Sequence, residues 1–522
     1  MGRLLKAFWI AGFLAIVIVC LSVALAPDRV RDPNTVIYAT YGDIKDWDPA
    51  VAFSLEVMVL ANIYEPLVYY DHTRKDDPLE PALAESWSVS EDGLTWTFKL
   101  REGVYFHDGE PLTAEAARLS LTRTIELAKG GFYIWDAVKE IRAIDNLRLE
   151  IETKYPAPID LIASSQYAAY IYSPAAANAG TDWFDEGNAA GTGPYYLRQW
   201  DRNQQVVLER NEEHWAGWSD DSIDRVIYKI VRESATQVQL LLAGETDFIS
   251  LISVDLVSAF EENPDITVEY IPSWKNSQFL INTQQWPTSD VNFRRALTYA
   301  WDYQSVTENI YAGSAETARG IIPASLWGHD AALETPGFDL EKAQQLLDAS
   351  GVPQEDRKIS IAYISSSEAY QNAAELFQRN LSKIGVEVEL RPGPWGTIWD
   401  AAKNPNSAPN AISMTWWPTY ATPSDWLTGL FQTEEPANFN LSYYANPAYD
   451  ELVQAGLRLE AMDRAAAIEK YQAAQRMLIK DAVAVFYADL KERIVHSAGL
   501  SGVNPNPAYN AIFFREVRRK DG

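Results

Sequence analysis

The sequence predicts a mixed α/β fold made of several compact units that share strands. Three observations carry this reading. The chain has 522 residues, enough for about three units at roughly 150 residues each. Two-residue strand alternation and 3.6-residue helical stripes interleave along the whole body. No repeat, low-complexity tract or linker separates the units, and 405–409 is the clearest flexible loop.

The first element is an address. Arg3 and Lys6 precede an uncharged run over 7–26, the order of a secretory signal. Ala24-Leu25-Ala26 has the small-x-small form of a cleavage site, but Pro27 follows it directly. The run is also long enough to span a bilayer. Residues 1–26 are therefore expected to be a signal peptide or an N-terminal membrane anchor, with membrane contact through 7–26 if they are uncleaved; lipid attachment at Cys20 is a lesser alternative.

Residues 86–100 read as a hairpin. Trp87 and Val89 lie on one arm, Asp92-Gly93 form the turn, and Leu94, Trp96, Phe98 and Leu100 alternate on the other. His107 to Glu110 make a second turn, Thr113 is placed to cap a helix to about 128 with Glu115 in its first turn, and Leu147, Leu149 and Ile151 form another strand. Gly191-Thr192-Gly193-Pro194 punctuates the chain before strands near 206–208 and 226–231. A helix from Ala235 stops at Gly244. Further helices are expected over 294–303, 340–349, 369–384 and 464–479. The third of these buries Ala373, Phe377, Leu381 and Ile384, and Gly385 turns it into a strand through Val386, Val388 and Leu390.

Composition narrows the function. With 47% hydrophobic and 22% charged residues the chain is neither disordered nor collagen-like. Its 44 Lys+Arg against 72 Asp+Glu leave a formal charge of −28, which favours solubility. No nucleic-acid partner is expected, because Arg294-Arg295 and Arg518-Arg519-Lys520 are too short to make a basic footprint. Cys20 is the one cysteine and lies in the apolar run, so the folded body has no thiol for a disulfide, a thiolate metal site or a nucleophile.

Motifs of catalysis are sparse. The chain has no phosphate loop, Gly-x-Ser-x-Gly or His-Glu-x-x-His, and Tyr196 stands where a dinucleotide fingerprint starting at Gly191 needs its third glycine. His72, His107, His214, His329 and His496 are scattered. His107 beside Asp108 reads as a structural turn, and Asp43, Asp46 and Asp48 as a solvated turn without calcium-loop spacing. No cofactor, metal or catalytic residue is expected. The positive signal is aromatic. There are 18 Trp and 27 Tyr, with Trp395 and Trp399 in one cluster and Trp416-Trp417-Pro418-Thr419-Tyr420 in another, both at the ends of elements. Indole rings at such ends suit the wall of a concave site.

One stretch is specific to a family. Pro81-Ala82-Leu83-Ala84-Glu85-Ser86-Trp87, the run from Asp92 to Val104 and Phe106-His107-Asp108-Gly109 resemble the extracytoplasmic solute-binding proteins of peptide-type ABC transporters, solute-binding protein family 5. Gly191 to Tyr195, Asn211 to Trp215, Gly244 to Asp247, Phe293 to Leu297 and Leu346 to Gly351 add to the resemblance. It implies a two-lobed periplasmic-binding-protein fold (type II) with a subdomain inserted in the first lobe, closing on a small-molecule or peptide ligand and delivering it to an inner-membrane ABC permease. Lobe I is expected at 35–60, 185–275 and 490–522, the inserted subdomain at 61–184 and lobe II at 276–489, in a monomer outside the cytoplasm. For the ligand site the resemblance points to Phe53, Ser54, Leu55, Trp395, Trp416, Thr419, Asn440, Tyr443 and Tyr487.

The resemblance breaks at one position. Peptide-binding members place an aspartate where Thr419 stands, to hold the α-amino group. A buried ammonium without a carboxylate costs several kcal/mol, so Asp425 becomes the nearest replacement and an oligosaccharide or other weakly charged solute the main alternative. A secreted hydrolase using the same cleft, or a structural surface protein with no deep cleft, are the readings of other classes.

Overall fold

The computed structural model describes residues 32–74, 78–252 and 254–520; the apolar run 7–26 lies outside them. Among the described residues an eleven-stranded sheet organises the molecule. From one edge its strands are Glu387–Gly393, Lys358–Ile364, Ala411–Trp416, Ile266–Ile281, Ala484–Ser497, Phe248–Ile249, Thr35–Thr40, Arg225–Ile230, Gln205–Arg210 and Tyr195–Asp201, and Ala315–Thr317 adds to Ala484–Ser497.

Two central strands are far longer than the rest, with 16 residues in Ile266–Ile281 and 14 in Ala484–Ser497. They run antiparallel, and their register breaks between Pro272 and Asn276. On one side of the break, Ile266 to Pro272 face Ser497 to Lys491, and Phe248–Ile249 pairs with His496 and Val495. On the other side, Asn276 faces Asp489, Ala315–Thr317 pairs with Leu490 to Ala488, and Ala411–Trp416 pairs with Ile281 to Asn276. Proline cannot donate to a ladder, so Pro272 interrupts the pairing where two halves of the molecule meet. Each half keeps a core of its own, around Tyr195, Tyr228 and Phe514 in one and Phe279, Trp301 and Phe377 in the other.

A separate four-stranded sheet, ordered Ala84–Val89, Thr95–Leu100, Arg148–Thr153, Val138–Ala143, carries the helix Ala114–Leu127. The hairpin is as the alternation predicts. Trp96, Phe98 and Leu100 are buried, Gly93 takes φ +73° at the turn, and Thr113 caps the helix by accepting from Ala116 N at 3.1 Å. The Gly191–Pro194 punctuation also has a physical cause. A Cβ on Gly191 would sit 2.0 Å from the Ile63 carbonyl oxygen, and one on Gly193 would lie 2.6 Å from the same carbonyl group, so only glycine lets the two backbones pass.

Three local expectations are corrected. The helix expected over 294–303 runs Val291–Tyr299, because Asp290 caps it by accepting from Phe293 N at 2.9 Å. Trp395 opens the helix Trp395–Lys403, but Trp399 lies in its interior rather than at an element's end. Asp48 is fully buried and not solvated. It takes a two-pronged hydrogen bond from Arg123, at 2.8 and 2.6 Å, and another from Thr181 Oγ1 at 2.8 Å.

Candidate functional site

Where the two long strands break register, a cavity of about 480 Å³ opens. Its floor comes from the strands themselves, Ile271, Ser273, Trp274 and Lys275 on one and Leu490 and Glu492 on the other. Tyr41, Phe53, Ser54, Leu55, Gln166 and Tyr167 wall one side; Tyr370, Thr415, Trp417, Pro418, Thr419 and Tyr420 wall the other. Grooves of about 980 and 590 Å³ elsewhere each belong to one half alone, so neither can sense how the halves sit.

Local rules explain the walls. The strand Ala411–Trp416 ends because Pro418 cannot continue the ladder, which releases Trp417 to Tyr420 as a loop over the floor. Opposite, the loop at Phe53 is pinned by Glu56, whose Oε1 accepts from Phe53 N and Ser54 N, both at 2.8 Å. Lys275 and Glu492 are the charged side chains of the lining, and they pair with each other. The cavity wall therefore carries no net charge. The Trp274 Nε1 is buried without a hydrogen-bond partner among the described residues.

Thr419 joins the halves. Its Oγ1 lies 2.5 Å from the Tyr133 hydroxyl and its carbonyl accepts from Ser165 Oγ at 2.7 Å. Farther along the same seam Arg464 binds Asp160 at 2.6 Å. Behind Thr419 lies a second cavity of about 560 Å³, between residues 132–162 and 416–457, and Tyr420 lines both. Asp425 sits in its wall in the first turn of the helix Ser424–Phe431, accepting from Trp416 Nε1 at 3.1 Å and Thr419 N at 2.7 Å. Burial pushes its carboxyl up to about 6, against the pull of those two bonds.

A family model for bacterial extracellular solute-binding proteins, family 5, matches residues 78–438. The chain belongs to this family. This solute-binding protein is 28% identical over 492 residues to a probable D,D-dipeptide-binding periplasmic protein of Escherichia coli (strain K12), covering 93% of this chain and 92% of the relative. It is 25% identical over 513 residues to heme-binding protein A of Haemophilus influenzae (strain ATCC 51907 / DSM 11121 / KW20 / Rd), covering 93% and 91%. In fold it is similar to the crystal structure of an ABC transporter substrate-binding protein of Listeria monocytogenes, with a TM-score of 0.84 at 21% identity over 94% of this chain and 100% of that one. The fold is thus the two-lobed one with an inserted subdomain, and the protein is the extracytoplasmic substrate-binding component of an ABC importer.

The structure places the expected site residues of the solute-binding protein unevenly. Phe53, Ser54, Leu55 and Thr419 line the cavity between the lobes, and Trp416 lines the one beside it. Trp395 stacks on Trp399, with centroids 6.2 Å apart, and Trp399 on Phe439 at 5.5 Å, forming a buttress behind Trp416 rather than a wall. Asn440 is buried and spends its amide on the carbonyls of Gln432 and Tyr444. Tyr443 donates to Ala402 O at 2.7 Å. Tyr487 is fully buried in the core around Phe279 and Trp301. Sequence reasoning missed Trp274, Lys275, Leu490 and Glu492. The register break that brings them together depends on which strands pair, and no local pattern announces that. Among the described residues no cluster of three or more His, Cys, Asp or Glu is placed to hold a metal, and no helix is long and apolar enough to cross a membrane.

Proposed function

We propose that this protein captures a peptide-like solute of no net charge in the cavity at the strand break and delivers it to an inner-membrane ABC permease. The observation that carries the reading is a cavity walled by both halves and floored by the two strands that join them. Such a site couples ligand contact to closure, because a solute that touches both walls binds the closed form more tightly than the open one. Lobe I is assigned to 35–60, 185–275 and 490–522, the inserted subdomain to 61–184 and lobe II to 276–489, with the register break at 272–276 as the hinge. Phe53, Ser54, Leu55, Thr419 and Trp416 are assigned to ligand contact.

The relative named for D,D-dipeptide binding supports the peptide class. The pairing of Lys275 with Glu492 supports net neutrality, since a net charge brought into this wall would find no free counter-charge. Thr419 standing where a carboxylate would hold an ammonium favours one second reading, an oligosaccharide or other weakly charged solute. The protein acts without turnover, as a monomer, and residues 7–26 tether it if they are retained. Native mass spectrometry of protein from its own host, followed by titration of the co-purified species and its analogues, tests this. A bound peptide-like solute of zero net charge is the expected result. A bound sugar moves the assignment to the second reading, and turnover of the bound species without retention overturns capture altogether.

A further inference from the structure

We infer that the 560 Å³ cavity beside the cleft is a subsite for a cationic group, an ammonium or guanidinium carried by the captured solute. Three independent features of its wall converge on this chemistry. The first is sign. Asp136 and Asp425 are the charged residues in the lining, and no Lys, Arg or His shares it. The nearby Lys154 ammonium binds the Asp136 backbone carbonyl, at 2.9 Å, and is not part of the lining. Lys403, on the buttress side, pairs with Asp400.

The second is the ring content. Phe132, Tyr133, Tyr155, Trp416, Tyr420 and Phe439 surround the space, and the electron-rich faces of such rings attract a desolvated cation. The third is spare acceptor capacity. Each Asp425 oxygen receives one protein hydrogen bond, from Trp416 Nε1 or Thr419 N, where a carboxylate can accept about four in all. Among the described residues no Lys, Arg or His forms an ion pair with it, so those hydrogen bonds alone offset its withdrawal from water, and a ligand cation would supply the missing counter-charge. Because Tyr420 lines both spaces, a solute seated in the cleft can extend its cationic end behind Thr419.

The biological occupant rests on the capture reading, but the chemistry of the subsite can be tested apart from it. Choline and its uncharged isostere 3,3-dimethyl-1-butanol are titrated into the full chain by calorimetry or saturation-transfer NMR. Choline is expected to bind at least tenfold more tightly than the alcohol. Asp425→Asn should abolish most of that preference and leave the alcohol unchanged. Since Asp425 also supports its own loop, Trp416→Leu, checked for an unaltered melting profile, should independently lower the preference by removing a ring face. Phe338→Ala, at an exposed ring in the separate 980 Å³ groove, should leave it intact. Equal affinity for the two probes, or a choline preference untouched by both Asp425→Asn and Trp416→Leu, overturns the subsite. A choline preference that persists while no solute closes the lobes upholds the subsite and removes the capture reading alone.

Discussion

Thr419 is the residue at which several demands meet. Its backbone N–H binds Asp425, its carbonyl accepts from Ser165 and its hydroxyl meets Tyr133 across the seam. A hydroxyl here makes a protein–protein bond, whereas a carboxylate would remain available to a ligand. Thr419→Val keeps the shape and removes that bond, whose net worth is about 0.5–1.5 kcal/mol. The expected outcome is a roughly two- to twelvefold fall in solute affinity with little change in melting temperature, read by calorimetry beside thermal denaturation. Residues of this kind were the hardest to read from sequence. The family resemblance points to Phe53, Ser54, Leu55 and Thr419, which line the cavity, and equally to Tyr487, which is buried in the core. Indole, phenol and amide side chains serve a core and a cleft equally well, so residue type alone did not separate Tyr487 and Asn440 from Trp417 and Tyr167. Asp48 misled for the opposite reason. Its partner Arg123 is 75 positions away, and a lone acidic cluster in sequence carries no sign that a guanidinium is folded onto it.

At the scale of elements, legibility was far better, because caps, turns and periodic stripes are local. The hairpin, the Thr113 cap and the helices Leu340–Ser350, Glu368–Lys383 and Arg464–Asp481 all follow from neighbours within a few residues. The Gly191–Pro194 passage yields a sharp test. Gly191→Ala would force a Cβ to within 2.0 Å of the Ile63 oxygen, and backbone on both sides leaves little room to yield. A loss of about 1–3 kcal/mol or more is expected, seen as a lower urea midpoint with solute affinity unchanged in the folded fraction. The long strand Ala484–Ser497 offers a second test. Asp489 faces Asn276 beside the register break, and burial raises its carboxyl from 3.8 to about 7, although Asn276 Nδ2 at 2.6 Å and Ala324 N at 3.2 Å oppose the rise. Its folded pKa exceeds its unfolded one, so the native state holds a proton that the unfolded chain sheds. Stability from this group is therefore absent above about pH 7, grows as pH falls, and is complete near the unfolded value. Glu460, raised to about 7 by burial, acts in the same sense. His107, lowered to about 4, acts in the opposite one. The difference between the wild-type protein and Asp489→Asn isolates the effect. The melting temperature of the wild type relative to the variant should rise from pH 8 to pH 5, and a flat difference would remove Asp489 from the account.

The whole molecule is two halves held together by two strands with a fault in their pairing, plus a seam in which polar contacts lie beside apolar ones such as Tyr70 on Trp274. Such an arrangement offers the lobes an axis at the irregular stretch from Pro272 to Asn276, which already lacks regular pairing. The seam sets how far the equilibrium leans toward contact without a guest. The Arg464–Asp160 pair is a charged element of this seam, with the Asp160 side chain 7% exposed and that of Arg464 34% exposed. Arg464→Ala removes the guanidinium from this pair and leaves Asp160 a partly desolvated carboxylate, which an open arrangement would rehydrate. In small-angle scattering the solute-free variant should therefore have a larger radius of gyration than the solute-free wild type. Saturating solute should bring both to the same compact value, because contacts from both walls replace the lost pair. Solute at 100 times its Kd should also stabilise either form by about 2.7 kcal/mol when binding is to the native state alone. If the variant and the wild type scatter identically with and without solute, the joining strands do not act as a hinge, and the coupling between cavity and closure has to lie elsewhere in the molecule.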